Sequence, residues 1–201
     1  MEVDGAMRVQ QEHVEMILVA ILFSTIHPPA EAAQDLHVNE KRKLVTIEAS
    51  LQQHNVALTQ PALLAALRST DAEVRWLAAQ KLANDAARDA IPAIIEALDA
   101  EKVPRTKVNI ASALAQLGDN RGTVALRDVC DDVRTRSSIR MLAAQYLLNV
   151  GDEHCLGSVV QILSSKPDAD SQVQALSLLP RFRRPPAGLA TMVLNLVMAS
   201  L

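Results

Sequence analysis

Three cations, Arg75, Lys107 and Arg140, recur at steps of 32 and 33 residues, and a row of positive charges at regular spacing could grip a polyanion. Pairing of these cations with acids of the same or an adjacent repeat, as Asp71 and Glu73 could supply for Arg75, is favoured over anion binding. The histidines His13, His27, His37, His54 and His154 show no i, i+4 pair and no spacing that would converge three metal ligands. The cysteines Cys130 and Cys155 lack a Cys-x-x-Cys spacing and could form at most one bridge. The expectation is a chain without catalytic residues, metal or cofactor, and not an enzyme.

Composition narrows the partners. The 201-residue chain is 49% hydrophobic with 2% aromatic residues, namely Phe23, Trp76, Tyr146 and Phe182, so its core must be built from Ala, Leu, Val and Ile. A formal net charge of −3 gives no long-range attraction for phosphate backbones, and nucleic acid is not expected as a partner.

The elements that must position any site follow from a repeat. The pattern Val74, Ala78-Ala79, Leu82 recurs as Thr106, Ile110-Ala111, Leu114 and again as Ile139, Ala143-Ala144, Leu147. Apolar residues at offsets 0, 4, 5 and 8 form one helical face. A second helix follows at the same lag: Ile91, Ile94, Ile95 and Leu98 align with Thr123, Leu126, Arg127 and Cys130, then with Leu156, Val159, Val160 and Leu163. Gly118-Asp119 and Gly151-Asp152 occupy equivalent turns, where glycine takes the left-handed conformation that ends a helix. Thr70 with Glu73 makes a capping-box pattern, Pro61 and Pro92 fall in the first turn of two second helices, and Pro180 ends the last first helix. Five hairpins result, at 41–68, 70–99, 104–132, 137–165 and 169–200. Trp76 aligns with Val108 and Met141, so its expected role is packing between repeats.

The run Asp71 to Leu82, the turns Leu117-Gly118-Asp119 and Val150-Gly151-Asp152, and Ile91-Pro92-Ala93-Ile94-Ile95 together resemble the HEAT-repeat superfamily, in particular the short bacterial type also found in phycobilisome lyase subunits. The resemblance implies an all-α fold, an α-α superhelix or HEAT-like repeat solenoid of about five helical hairpins. Its right-handedness comes from the family likeness and not from the periodicity. The family's hydroxylases carry His-Glu dipeptides for iron, whereas this chain has only the reverse order, at Glu12-His13 and Glu153-His154. Its DNA glycosylases need a basic, aromatic groove that this composition does not supply. Thr106 and Arg127 depart from the apolar pattern and suggest a loosened third hairpin.

In such solenoids the second helices line the surface that receives a partner. The solvent-facing positions there are Ala65, Glu96, Asp128 and Gln161 with, beside them, Arg68, Asp99, Asp131 and Ser164, which predict a shallow groove, mildly acidic in its middle, for a protein partner with a basic or polar segment. Cys130 aligns with Leu98, late in a second helix, and Cys155 with Ala90, before one; in register they stand eight residues apart axially, roughly 12 Å at helical rise. Two free thiols are therefore expected. The last helix, with Met192 and Leu196, is apolar nearly all round, which suggests self-association or a covering partner. The domain division is 1–33, an apolar segment or signal peptide, and 34–201, the repeats. Within the first, Met16 to Phe23 with Ile26 has the length of a secretory core, and Ala30-Glu31-Ala32 resembles a cleavage site, but the preceding residues are acidic. Export to the periplasm, or a membrane anchor, is favoured over a cytoplasmic chain whose first helix caps the stack. The leading function is a non-catalytic protein-interaction scaffold or adaptor; the alternative is a chromophore-lyase-like subunit acting on a tetrapyrrole carrier.

Overall fold

At four positions, 31, 32 and 33 residues apart, the backbone turns left-handed: Asn55 (φ 57°), Ala86 (53°), Gly118 (82°) and Gly151 (79°). The computed structural model, which describes residues 46–165 and 169–183, places each of them directly after a helix. At each, two hydrogen bonds close the same motif. The amide after the turn residue donates to a buried leucine carbonyl, Val56 to Leu51, Ala87 to Leu82, Asp119 to Leu114 and Asp152 to Leu147, at 2.9 to 3.0 Å. The turn residue itself donates to the carbonyl three residues back. This is the Schellman arrangement, and it satisfies carbonyls the helix leaves orphaned.

Ala86 occupies a position where two of the other repeats have glycine, and an L-residue in this conformation is strained. Ala86→Gly is expected to stabilise the chain by about 0.5 to 1 kcal/mol, after subtracting the extra freedom glycine gains when unfolded. Gly118→Ala is expected to lose a similar amount, since a Cβ there would meet nothing within 4 Å and only the backbone penalty remains. Thermal melts of the two variants check the pair of opposite signs.

Nine α-helices result among the described residues. We number them α1 (46–53), α2 (Gln60–Ala66), α3 (Ala72–Asn84), α4 (Ile91–Ala100), α5 (Pro104–Gln116), α6 (Asn120–Asp131), α7 (Ser137–Asn149), α8 (Leu156–Ser164) and α9 (Ala169–Leu178). They pair as the hairpins α1/α2, α3/α4, α5/α6 and α7/α8, and α9 opens a fifth that breaks into a 3-10 turn, Leu179–Arg181, at Pro180. The second helix of the fifth hairpin, with Met192 and Leu196, lies outside the described residues, as do the apolar segment Met16 to Ile26 and the whole of 1–33. Among the described residues no helix is long and apolar enough to cross a membrane.

The core is one continuous apolar cluster running from Ile47 to Phe182, with Leu51, Leu82, Leu114 and Leu147 fully enclosed at equivalent places. Trp76 is half-buried and packs against that cluster. First helices stack on one another, α3 on α5 and α5 on α7, and each second helix leans on the first helix of the next hairpin. Polar side chains stitch the first helices together. Lys81 pairs with Glu48 on α1, Gln80 donates to Gln116 at 2.6 Å, Gln116 donates to Asn84 at 3.0 Å, and the Tyr146 hydroxyl donates to Asn109 at 2.9 Å. Buried polar groups need such partners, and among the described residues no buried side-chain nitrogen or oxygen lacks one.

Three expectations are corrected. The cap of α3 is Asp71, whose carboxylate accepts the Glu73 amide at 2.8 Å, and not Thr70. The third hairpin is closed rather than loosened. Thr106 is buried in it and Arg127 reaches out to Asp152, while Gly122 brings α6 against α5 so closely that a Cβ would lie 2.4 Å from the Ala115 nitrogen and 2.5 Å from the Ala111 oxygen. Gly122→Ala must push backbone apart, and a loss of about 2 to 3 kcal/mol is expected in a urea titration.

The third correction is the pair of thiols. Cys130 and Cys155 form a disulfide, with Cα atoms 5.8 Å apart. The in-register assumption failed. After Gly118 the chain enters α6 within two residues, but after Gly151 it takes five to reach α8, and those residues run along α6. Asp152 meets Arg127 at 2.8 Å and His154 meets Asp131 at 2.8 Å, so α8 begins beside the end of α6 instead of beside its start. Non-helical residues cover up to about 3.3 Å each against 1.5 Å in a helix, which absorbs the axial offset.

Candidate partner groove

Second helices α4 and α6 wall a groove of about 990 Å³, closed at one end by the 101–104 connection and the start of α5. Its apolar surface comes from Ile95, Leu98, Val124, Val129 and Ile139. Val124 is 43% exposed, a large aliphatic side chain with no cover among the described residues. A smaller groove of about 540 Å³ runs on the other side of α4, toward α2.

Of the residues singled out by sequence, Asp99, Asp128 and Asp131 converge on the larger groove. The Asp128 carboxylate makes no hydrogen bond or ion pair with any described residue. Asp99 lies in the field of Arg121, and Asp131 holds His154. Glu96 belongs to the smaller groove, where it pairs with Arg68 at 3.0 Å, both ends exposed. Gln161 stands apart, accepting a hydrogen bond from Arg140 at 3.1 Å.

The expected acidic face is in fact mixed. Lys102 and Lys107 line the same groove as Asp99 and Asp128, and their ammonium groups are likewise free of described partners. Asp132 and Arg134 neutralise each other at its edge, 3.1 Å apart. Lys102 escaped the sequence reading because it lies in a connection, outside the helical offsets that were compared.

The cationic ladder does not exist as a surface. Arg75 is turned inward and clamps Glu101 through two hydrogen bonds of 2.7 and 3.0 Å, while also donating to the carbonyls of Ser69 and Thr70. Its hydrogen-bonded partner is thus an acid in the link to the adjacent repeat rather than Asp71 or Glu73, although Asp71 still adds to the field that favours its charge. The Glu101 carboxylate is 1% exposed and accepts the amides of Lys102 and Val103, each at 2.8 Å. Burial pushes this carboxyl up, but the guanidinium and the two amides outweigh burial and hold it below its ordinary value. Arg140 is buried as well, donating to the Cys130 carbonyl at 2.8 Å. Lys107 alone of the three cations stays exposed. One clamp therefore ties the connection before α3 to the connection before α5 and fixes the closed end of the groove.

Among the described residues no three His, Cys, Asp or Glu side chains gather as metal ligands. What the groove offers is an aliphatic floor with charges of both signs around it.

A family model of HEAT repeats matches residues 60–148, from α2 to α7. No curated protein matches the chain.

Proposed function

We propose that this chain, whose residues 60–148 are HEAT repeats, is a non-catalytic interaction module that receives a polypeptide segment in the groove between α4 and α6. HEAT repeats generally act as protein-interaction scaffolds, and proteins are their usual partners. The observation that carries the reading to this groove is the exposed Val124 beside the Asp128 carboxylate, an aliphatic contact next to a negative charge that has no partner among the described residues. The partner segment then has a Lys or Arg next to an aliphatic residue. Such anchoring is typical of interfaces in which a few central contacts carry most of the energy and charge sets specificity.

Panning a random-peptide display library on the full-length, oxidised chain tests this. Enriched peptides are expected to combine a basic and an aliphatic residue, and Val124→Asp or Asp128→Lys is expected to weaken them at least about tenfold, equivalent to about 1.4 kcal/mol. Enriched peptides that bind both variants as well as the parent chain would remove the groove from the account.

A further inference from the structure

We infer that this chain is a substrate for oxidative thiol pairing, and that it works in a compartment where dithiols are oxidised. Cys130 lies in the last turn of α6 and Cys155 immediately precedes α8, 25 positions on, so the thiols meet only after α7 has folded back across α6. Neither residue occupies a place where the repeat elsewhere uses cysteine. Cys130 stands where the second hairpin has Leu98, and Cys155 where earlier hairpins have Ala90 and Gly122. Both are enclosed in the apolar core, 0% and 1% exposed, and among the described residues no third ligand joins them to suggest a metal in their stead.

The reaction is a thiol–disulfide exchange. One thiolate attacks an acceptor disulfide and releases its first thiol. The second cysteine then attacks the mixed disulfide, releasing the other thiol and closing Cys130 Sγ onto Cys155 Sγ. Two electrons and two protons pass to the acceptor, which leaves as a dithiol. Attack must be in line on an accessible sulfur, so the closed bond, buried on both sides, is shielded from reversal until the α6/α8 junction opens. A buried crosslink of this kind is kept where the surroundings are oxidising and is rare where thiol buffers keep cysteine reduced. Sequence points the same way, because the apolar run Met16 to Phe23 followed by Ala30-Glu31-Ala32 has the length and cleavage pattern of an export segment, although the residues before it are acidic.

The test is made on full-length chain from its own cells, quenched in acid, unfolded, and treated with N-ethylmaleimide before and after reduction. No label is expected before reduction, two labels after it, and a linked peptide pair containing Cys130 and Cys155 in the unreduced digest. Two labels before reduction, or linkage of either cysteine to another thiol, would overturn the inference. As a second arm, chain made reduced in a bacterial cytosol is exposed to oxidised glutathione. Closure to the same linked pair is expected, and persistent mixed disulfides with glutathione would contradict the geometry on which the inference rests.

Discussion

Arg75→Met is expected to cost about 3 kcal/mol of stability near neutral pH, because it leaves the Glu101 carboxylate buried without its cation. Most of that loss is the exposed cost of a charge that cannot reach water, so it differs from removal of a surface ion pair. Restoring neutrality separates the two. Arg75→Met combined with Glu101→Gln keeps acceptors for the Lys102 and Val103 amides and is expected to recover about half of the loss. Urea unfolding of the single and double variants, read as a double-mutant cycle, gives the coupling directly.

The same pair sets an acid dependence whose sign is fixed. Glu101 has a folded pKa below its ordinary 4.5, so it binds its proton more readily when the chain is unfolded. Its contribution is therefore fully present above about pH 4.5 and is lost as pH falls through the depressed folded value. The stability gap between the parent and Arg75→Met should narrow over that acid range, because a protonated Glu101 no longer needs a cation. Melts that keep a constant gap from neutral to strongly acid pH would show that Arg75 acts by packing alone.

The second large effect belongs to the crosslink. Replacing both Cys130 and Cys155 by Ala is expected to destabilise the chain by about 3 to 4 kcal/mol, since a bridge spanning 25 positions restricts the unfolded chain by that order. The expected damage is local as well as global. Hydrogen exchange of the α8 amides should rise far more than that of α3 and α5, because α6 and α8 meet through the bridge, the half-buried pair Arg127–Asp152 and the exposed pair His154–Asp131. Uniform acceleration along the stack would mean that the bridge does not hold this junction in particular.

Sequence spacing carried most of the architecture because a repeat shows itself through comparison with its own copies. Leu82, Leu114 and Leu147 announced the enclosed face, and Gly118 and Gly151 announced the reversals. Asn55 and Ala86 hid the other two reversals, since neither residue demands a positive φ and only the common lag of 31 to 33 residues unites them with the glycines. Contacts between repeats were far less legible. An acid of the same or an adjacent repeat is expected beside Arg75, with Asp71 and Glu73 as the nearest in sequence, yet the partner is Glu101, in a connection 26 residues on that no local rule singles out. The disulfide was missed for the same reason: lag fixes which residues correspond, but not how far a turn displaces one helix along another. Of the five second-helix residues proposed for the partner face, three share the groove and two do not: Glu96 lies on the other side of α4, and Gln161, on α8, is taken up by Arg140.

The most direct test of the account is a chemical-shift titration of the full-length, isotope-labelled, oxidised chain with the strongest basic-aliphatic peptide from the display library. Perturbed amides are expected to cluster on α4, the 101–103 connection with the first turn of α5, and α6, with Val124 and Asp128 among the largest. Perturbations confined to α3, α5 and α7, with the α4 and α6 amides unmoved, would contradict it.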